Sequence, residues 1–179
     1  MVDDNGIENI ILLVKESDTV AEFYPSLDGV LTMERLEVEM DSAQKKNKNM
    51  MLLTLNLQNK IRQSMHQVTI YKTTNWKDSD KYPSVQSLCY LLEKTSAKRD
   101  VPVMIIGRQN TGLSVGGVLS VCLNVIKSSK IRRPFCVLEN AMTVNKSSKN
   151  FFKNFDDYKL LYNVLQCYLE SAHTYDIIE

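Results

Sequence analysis

The chain has 179 residues, one domain's worth, and at that size about 70% of the unfolded surface can be buried. It is 44% hydrophobic and 24% charged, and 22 Lys+Arg against 21 Asp+Glu leave a net charge of +1. That balance excludes a whole-molecule field for attracting nucleic acid or an anionic membrane.

No apolar run approaches the roughly 20 residues that span a bilayer, and the N-terminus MVDDNG lacks the basic region of a signal peptide. Cys89, Cys122, Cys136 and Cys167 are scattered, without C-x-x-C spacing. They read as reduced core thiols of a cytoplasmic protein. With His66 and His173 the only histidines, a histidine-rich metal centre is excluded and no cofactor is implied. The basic clusters Lys45, Lys46, Lys48 and Lys130, Arg132, Arg133 lack interleaved aromatics and read as solvated surface.

The first half predicts strands. IENIILLV (7–14) is an apolar run of strand length, and LEVEM (36–40) alternates. Leu53, Leu55 and Leu57 alternate with polar residues, as do Val68 and Ile70 within HQVTIY (66–71). The lysine-rich turn KKNKN and the polar NKIRQS separate these runs by hairpin-like distances, which predicts an antiparallel meander.

The second half predicts helices around one strand. Pro83–Ser84 opens a helix carrying Val85, Leu88, Leu91 and Leu92 at helical spacing. Residues 101–106 form an apolar strand, followed by a helix with Val118, Val121, Cys122 and Val125 on one face. A third helix starts at Pro134 and runs to about Met142. A last one, from about Phe155, carries Tyr158, Leu161, Leu165 and Leu169 on one stripe. SSKN (147–150) is a loop. With no repeat or interdomain linker, the expectation is a single domain over 1–179, α/β or α+β, with a mixed sheet and helices.

PVMIIGRQNTGLSVGG (102–117) joins an apolar strand to a helix N-terminus through a glycine-flanked loop. Backbone N–H groups and the helix dipole converge there, an arrangement suited to phosphate. As a nucleotide loop, GRQNTGLS (107–114) fits G-x-x-x-x-G-K-[ST] except that Leu113 occupies the lysine position, so the cation for the β/γ-phosphates is absent. Too little strand sequence follows for a nucleotide-binding sheet.

The same segment resembles the phosphate loop of the protein tyrosine phosphatases, P-V-V-V-H-C-S-A-G-V-G-R-T-G. Pro102, residues 103–105, Gly112 and Ser114 match it. Ile106 stands at the histidine position, Gly107 at the nucleophilic cysteine and Leu113 at the phosphate-gripping arginine. Upstream, YKTTNWKDSDKYPS (71–84) resembles the family's W-P-D-x-G-x-P segment through Tyr71, Trp76, Asp78 and Pro83, with Lys77 replacing the proline. AEFYPSLDGV (21–30) resembles C-x-Q-Y-W-P. FDDYKLLYNVLQCYLE (155–170) resembles the last helix through Tyr158, Tyr162 and Leu165. The Gln-Thr pair that positions the hydrolytic water falls on Lys153 and Asn154.

The resemblance covers about residues 7–170. It implies a largely antiparallel twisted sheet flanked by helices, without the family's N-terminal helices and phosphotyrosine-recognition segment. Either a shortened gene product or a partner that supplies the missing part would follow.

It implies no enzyme: no phosphocysteine can form on a glycine, and leucine gives no bidentate grip on phosphate. Asp78 is the retained acid-like residue, with turn-capping as its structural alternative. Arg108, Gln109, Asn110, Thr111, Gly112, Ser114 and Trp76 form the vestigial binding set. The expected function is a pseudophosphatase that binds a signalling protein or a phosphotyrosyl protein. The alternatives are a weak phosphatase using Asp78 and a loop-held water, or a remnant without a role.

Overall fold

The alternation of Leu53, Leu55 and Leu57 arises in a strand with one buried face, and that strand lies near the middle of a mixed sheet. The computed structural model describes residues 2–18, 24–27, 29–97, 101–107, 111–131, 134–148 and 151–176. In chain order the elements are β1 (Asn9–Leu13), β2 (Val30–Thr32), β3 (Leu36–Asn47), β4 (Met50–Asn59) and β5 (Ser64–Thr73). They continue with α1 (Val85–Thr95), β6 (Val103–Gly107), α2 (Thr111–Lys130), α3 (Val137–Ser147) and α4 (Phe155–Asp176). The sheet order is β2-β3-β4-β5-β1-β6. Strands β2 to β5 form the expected antiparallel meander, and β1 returns parallel to β5, with Ile10 opposite Ile70.

The chain divides into two compact units, 1–80 with 100–106, and 81–99 with 107–179. In the first, one face of the sheet gathers Ile10, Leu12, Val38, Leu55, Val68 and Ile70, with Met104 and Ile106 of β6 packed against them. Ile11 and Leu13 on the opposite face of β1 are also buried, so β1 reads as a continuous apolar run rather than an alternating one. The β4–β5 turn is shaped by Asn59, whose Oδ1 accepts from the backbone N–H of Ile61 and of Arg62, each at 3.0 Å.

In the second unit, α2 packs against α1, α3 and α4, and α1 against α4. Helix α2 is apolar nearly all round, with Val115, Leu119, Cys122 and Ile126 buried, and so it occupies the core. Its span Gly112–Lys130 is long and apolar enough to cross a membrane by length and composition, which corrects the expectation that no such stretch exists. However, 67% of it is buried inside the protein, as in a core helix. Gly117 lets the Phe151 side chain approach: a Cβ there would lie 2.6 Å from the Phe151 Cβ.

Four local expectations are corrected. Lys45, Lys46 and Asn47 belong to β3, not to a turn, because they pair with the start of β4 (Lys45 opposite Met51, Asn47 opposite Met50). Helix α3 begins at Val137 rather than Pro134 and continues past Met142 to Ser147, so Ser147 is helical and not loop. On α4 the buried stripe is Asp157, Leu160, Leu161, Val164 and Leu165, whereas Leu169 is 51% exposed. Of the four cysteines, Cys89 and Cys122 are buried, but Cys136 is exposed ahead of α3 and Cys167 is half-buried, so only two are core thiols.

Candidate functional site: a strand–helix joint closed at its base

Strand β6 ends at Gly107 and α2 begins at Thr111. Ile106 and Gly107 are the last two residues of β6, both half-buried. Gly112 is buried in the first turn of α2, Leu113 is half-buried and Ser114 is buried. Arg108, Gln109 and Asn110 lie outside the described residues, as does the side chain of Thr111.

The decisive geometry is between Gly107 and Gly112. A Cβ built on Gly107 would lie 2.7 Å from the carbonyl oxygen of Gly112, 2.8 Å from its carbonyl carbon and 3.0 Å from its Cα. The obstruction is backbone, so no flexible side-chain end can give way. Glycine at position 107 is therefore a requirement of this joint, because only a residue without Cβ permits the approach.

The acid-like segment sits at the end of β5 in the other unit. Trp76 is buried, at 3% exposure, and its Nε1–H donates to the Asp80 carbonyl at 3.2 Å. Asn75 before it adopts a left-handed φ of 59°, which asparagine tolerates. The backbone N–H of Glu16 donates to the Trp76 carbonyl at 2.9 Å. Lys15 Nζ donates to the carbonyls of Asp78 and Asp80 and stands 5.4 Å from the Trp76 ring centre. Asp78 itself is exposed, and its carboxylate accepts from the Ser17 hydroxyl. Residues 76–80 form a turn stapled to 15–17, and in that turn the Asp78 side chain has a structural partner. Lys15 and Ser17 were not singled out in the sequence, since nothing there ties them to a segment some sixty residues away.

Asn154, on which the resemblance places part of a water-positioning pair, caps α4. Its Oδ1 accepts from the Asp157 N–H at 3.2 Å, and Asp157 Oδ2 accepts in return from the Asn154 N–H at 3.3 Å and the Lys153 N–H at 2.8 Å. This reciprocal pattern is a capping box. Asp157 is 2% exposed, and its Oδ1 accepts from the Tyr82 hydroxyl at 2.6 Å. Burial, followed by that hydrogen bond to Asp157, pushes the Tyr82 phenol up to about 12. The N-F-D-D spacing of the cap was readable in the sequence, but the Tyr82 link was not.

A cavity of about 790 Å³ opens at the other end of α2, between Ile126, Phe135, Val137, Tyr162, Leu165 and Leu169. At 1.5 Å per residue, Ile126 is roughly 20 Å along the helix from Gly112. Among the described residues no cluster of His, Cys, Asp and Glu could hold a metal ion.

Comparison with known proteins agrees with this frame. The family model for protein-tyrosine phosphatase matches residues 1–167, and the chain belongs to that family. A search of curated proteins finds no match.

Among solved structures, the catalytic domain of human protein tyrosine phosphatase non-receptor type 18 (PTPN18) superposes with a TM-score of 0.76 at 15% identity, covering 93% of this chain and 62% of that one. PTPN18 in a study of its recognition of distinct HER2 tyrosine phosphorylation sites gives 0.77 at 16%, covering 94% and 62%. PTPN18 in complex with a phosphorylated HER2 peptide gives 0.76 at 15%, covering 93% and 60%. The chain thus spans about three fifths of these relatives and shares their fold, a mixed sheet with helices.

Proposed function

We propose that the chain is a tyrosine-phosphatase-like protein without phosphatase activity, which acts by binding a signalling protein. The observation that carries this reading is the contact of Gly107 with the Gly112 backbone. A thiolate nucleophile needs a side chain at that position, and the joint has no room for its first carbon. Loss of the nucleophile from a catalytic unit lowers turnover on the order of 10⁶-fold in a well-studied protease. Leu113 at the arginine position removes the bidentate grip on the phosphoryl group. The retained Asp78 would be a general acid with no phosphoenzyme to form, and its carboxylate is engaged by Ser17.

Exposed Phe135, Tyr162 and Leu169, which line the cavity at the end of α2, support a binding role, since exposed apolar groups gathered at one place commonly mark interaction surfaces. The solved PTPN18 complex contains a phosphorylated HER2 peptide, so phosphotyrosyl proteins are the second class of partner.

The test is hydrolysis of a phosphotyrosyl peptide by the purified chain, with a thermal melt of the same sample against the phosphorylated and unphosphorylated peptides. No turnover is expected. A melting point raised by the phosphorylated peptide alone would make the protein a phosphotyrosine trap, the stabilisation reaching about 2.7 kcal/mol at 100 times the dissociation constant. Saturable turnover abolished by Asp78→Ala would establish a weak phosphatase instead.

A further inference from the structure

Helices α1 and α4 pack together in the helical unit, and each carries a cysteine near their contact. Cys89 on α1 is 4% exposed, and its Sγ donates to Glu93 Oε1 at 3.8 Å and lies 3.7 Å from Ser171 Oγ on α4. Cys167 stands one helical turn before Ser171, on the same face of α4. Cys167 therefore lies beside the α4 residue that the Cys89 sulfur touches. Cys167 is only half-buried, so it has the solvent access that Cys89 lacks.

We propose that Cys89 and Cys167 form a reversible disulfide that joins α1 to α4, with hydrogen peroxide as oxidant and Glu93 as the acceptor of the Cys89 proton. The Cys167 sulfur attacks one peroxide oxygen, the O–O bond breaks, and the departing hydroxide takes the thiol proton and leaves as water. Cys167 is then a sulfenic acid. The Cys89 sulfur attacks the Cys167 sulfur as Glu93 takes up its proton. The S–S bond forms, the S–O bond breaks, and the released hydroxide recovers that proton as a second water. Two thiols are oxidised by two electrons, and one peroxide is reduced to two waters.

The order of events follows from environment. Burial, and then the neighbouring Cys167, push the Cys89 thiol up to about 12, which keeps it protonated and unreactive toward oxidant at neutral pH. The disulfide would close the long stretch of chain between the two helices, and a closed loop of that kind restricts the unfolded state.

The test is peptide mapping of the folded chain under non-reducing conditions after treatment with hydrogen peroxide, with a thermal melt of the same sample. The expected result is one cross-linked peptide pair carrying Cys89 and Cys167, a mass lower by two hydrogens, a raised melting point, and reversal of all three by dithiothreitol. Cys167→Ser, at a half-buried position that tolerates it, should abolish the cross-link and the melting shift, whereas Cys136→Ser should leave both intact. Glu93→Gln should slow closure and let the Cys167 sulfenic acid be trapped by dimedone. Stable oxidation of Cys167 while Cys89 stays free for alkylation would overturn the proposal, as would a melting shift that survives in Cys167→Ser.

Discussion

Gly107 at the end of β6 and Gly112 in the first turn of α2 meet backbone to backbone, at a distance that leaves no space for a Cβ on Gly107. Any side chain at position 107 must therefore move the strand or the helix. Gly107→Ala and Gly107→Cys should each destabilise the chain by about 1–3 kcal/mol, the usual range for forcing atoms into a packed site. Gly107→Cys should give no hydrolysis of phosphotyrosine, because the new side chain meets the Gly112 backbone. Urea denaturation of the three proteins measures the first effect. A wild-type midpoint for Gly107→Ala would mean that the two glycines do not approach this closely in solution.

Trp76 and Asp78 separate the structural part of the acid-like segment from the chemical part. Trp76 is buried and donates to Asp80, so Trp76→Ala should cost about 3–5 kcal/mol, as large aromatic truncations do. Asp78 is exposed with one hydroxyl partner, and Asp78→Ala should stay within about 0.5 kcal/mol of wild type. Denaturation midpoints test both. A large loss in Asp78→Ala would show that its bond to Ser17 holds the turn in place.

What could be read in the sequence, and what could not, divides along physical lines. The period-two leucines of β4 and the apolar run of β1 declare their elements, because burial on one face or both leaves a pattern in residue type alone. The polar tail of β3 hides its strand: Lys45–Asn47 hold their place by pairing with β4, and pairing leaves no such pattern. The late start of α3 has a similar cause, since Cys136 at its N-cap makes no side-chain capping bond that a sequence motif could announce. At the site, the expectation that Gly107 and Leu113 replace a cysteine and an arginine rests on residue identity alone, which needs no structure to read. The closure of the joint depends on how two backbones approach, and the bond from Tyr82 to Asp157 spans 75 positions. Neither leaves a local signature.

Buried Asp157 collects the part-buried Tyr82 hydroxyl and two backbone N–H groups of the cap, so its loss removes the acceptor of all three. Asp157→Ala should cost about 1–2 kcal/mol, from the broken cap and the lost Tyr82 bond. Tyr82→Phe removes one donor and leaves Asp157 with two, and should cost about 1 kcal/mol. In a double-mutant cycle the pair should couple, the double variant losing less than the sum of the singles. Strict additivity would show that the Tyr82 hydroxyl contributes nothing through Asp157.

The same phenol gives the chain an alkaline signature. Burial first, then the bond to Asp157, raise the Tyr82 pKa from its ordinary value of 10.0 to about 12, so the fold favours the neutral phenol. A folded-state pKa above the unfolded one contributes stability that is complete below the unfolded value and is lost as pH rises through the folded one. Stability should therefore decline between roughly pH 10 and 12 as the unfolded chain releases a proton that the folded chain retains. Lys81, which pairs with Asp156 and lies over the Tyr82 ring, is also raised and adds to the decline in the same direction. Tyr82→Phe should flatten the slope without abolishing it. The absorbance difference between wild type and Tyr82→Phe isolates this one phenolate from the also raised Tyr158, and it should appear only toward the top of that range. A Tyr82 phenolate that forms near pH 10, with the stability slope unchanged in Tyr82→Phe, would show that the hydroxyl faces water rather than Asp157.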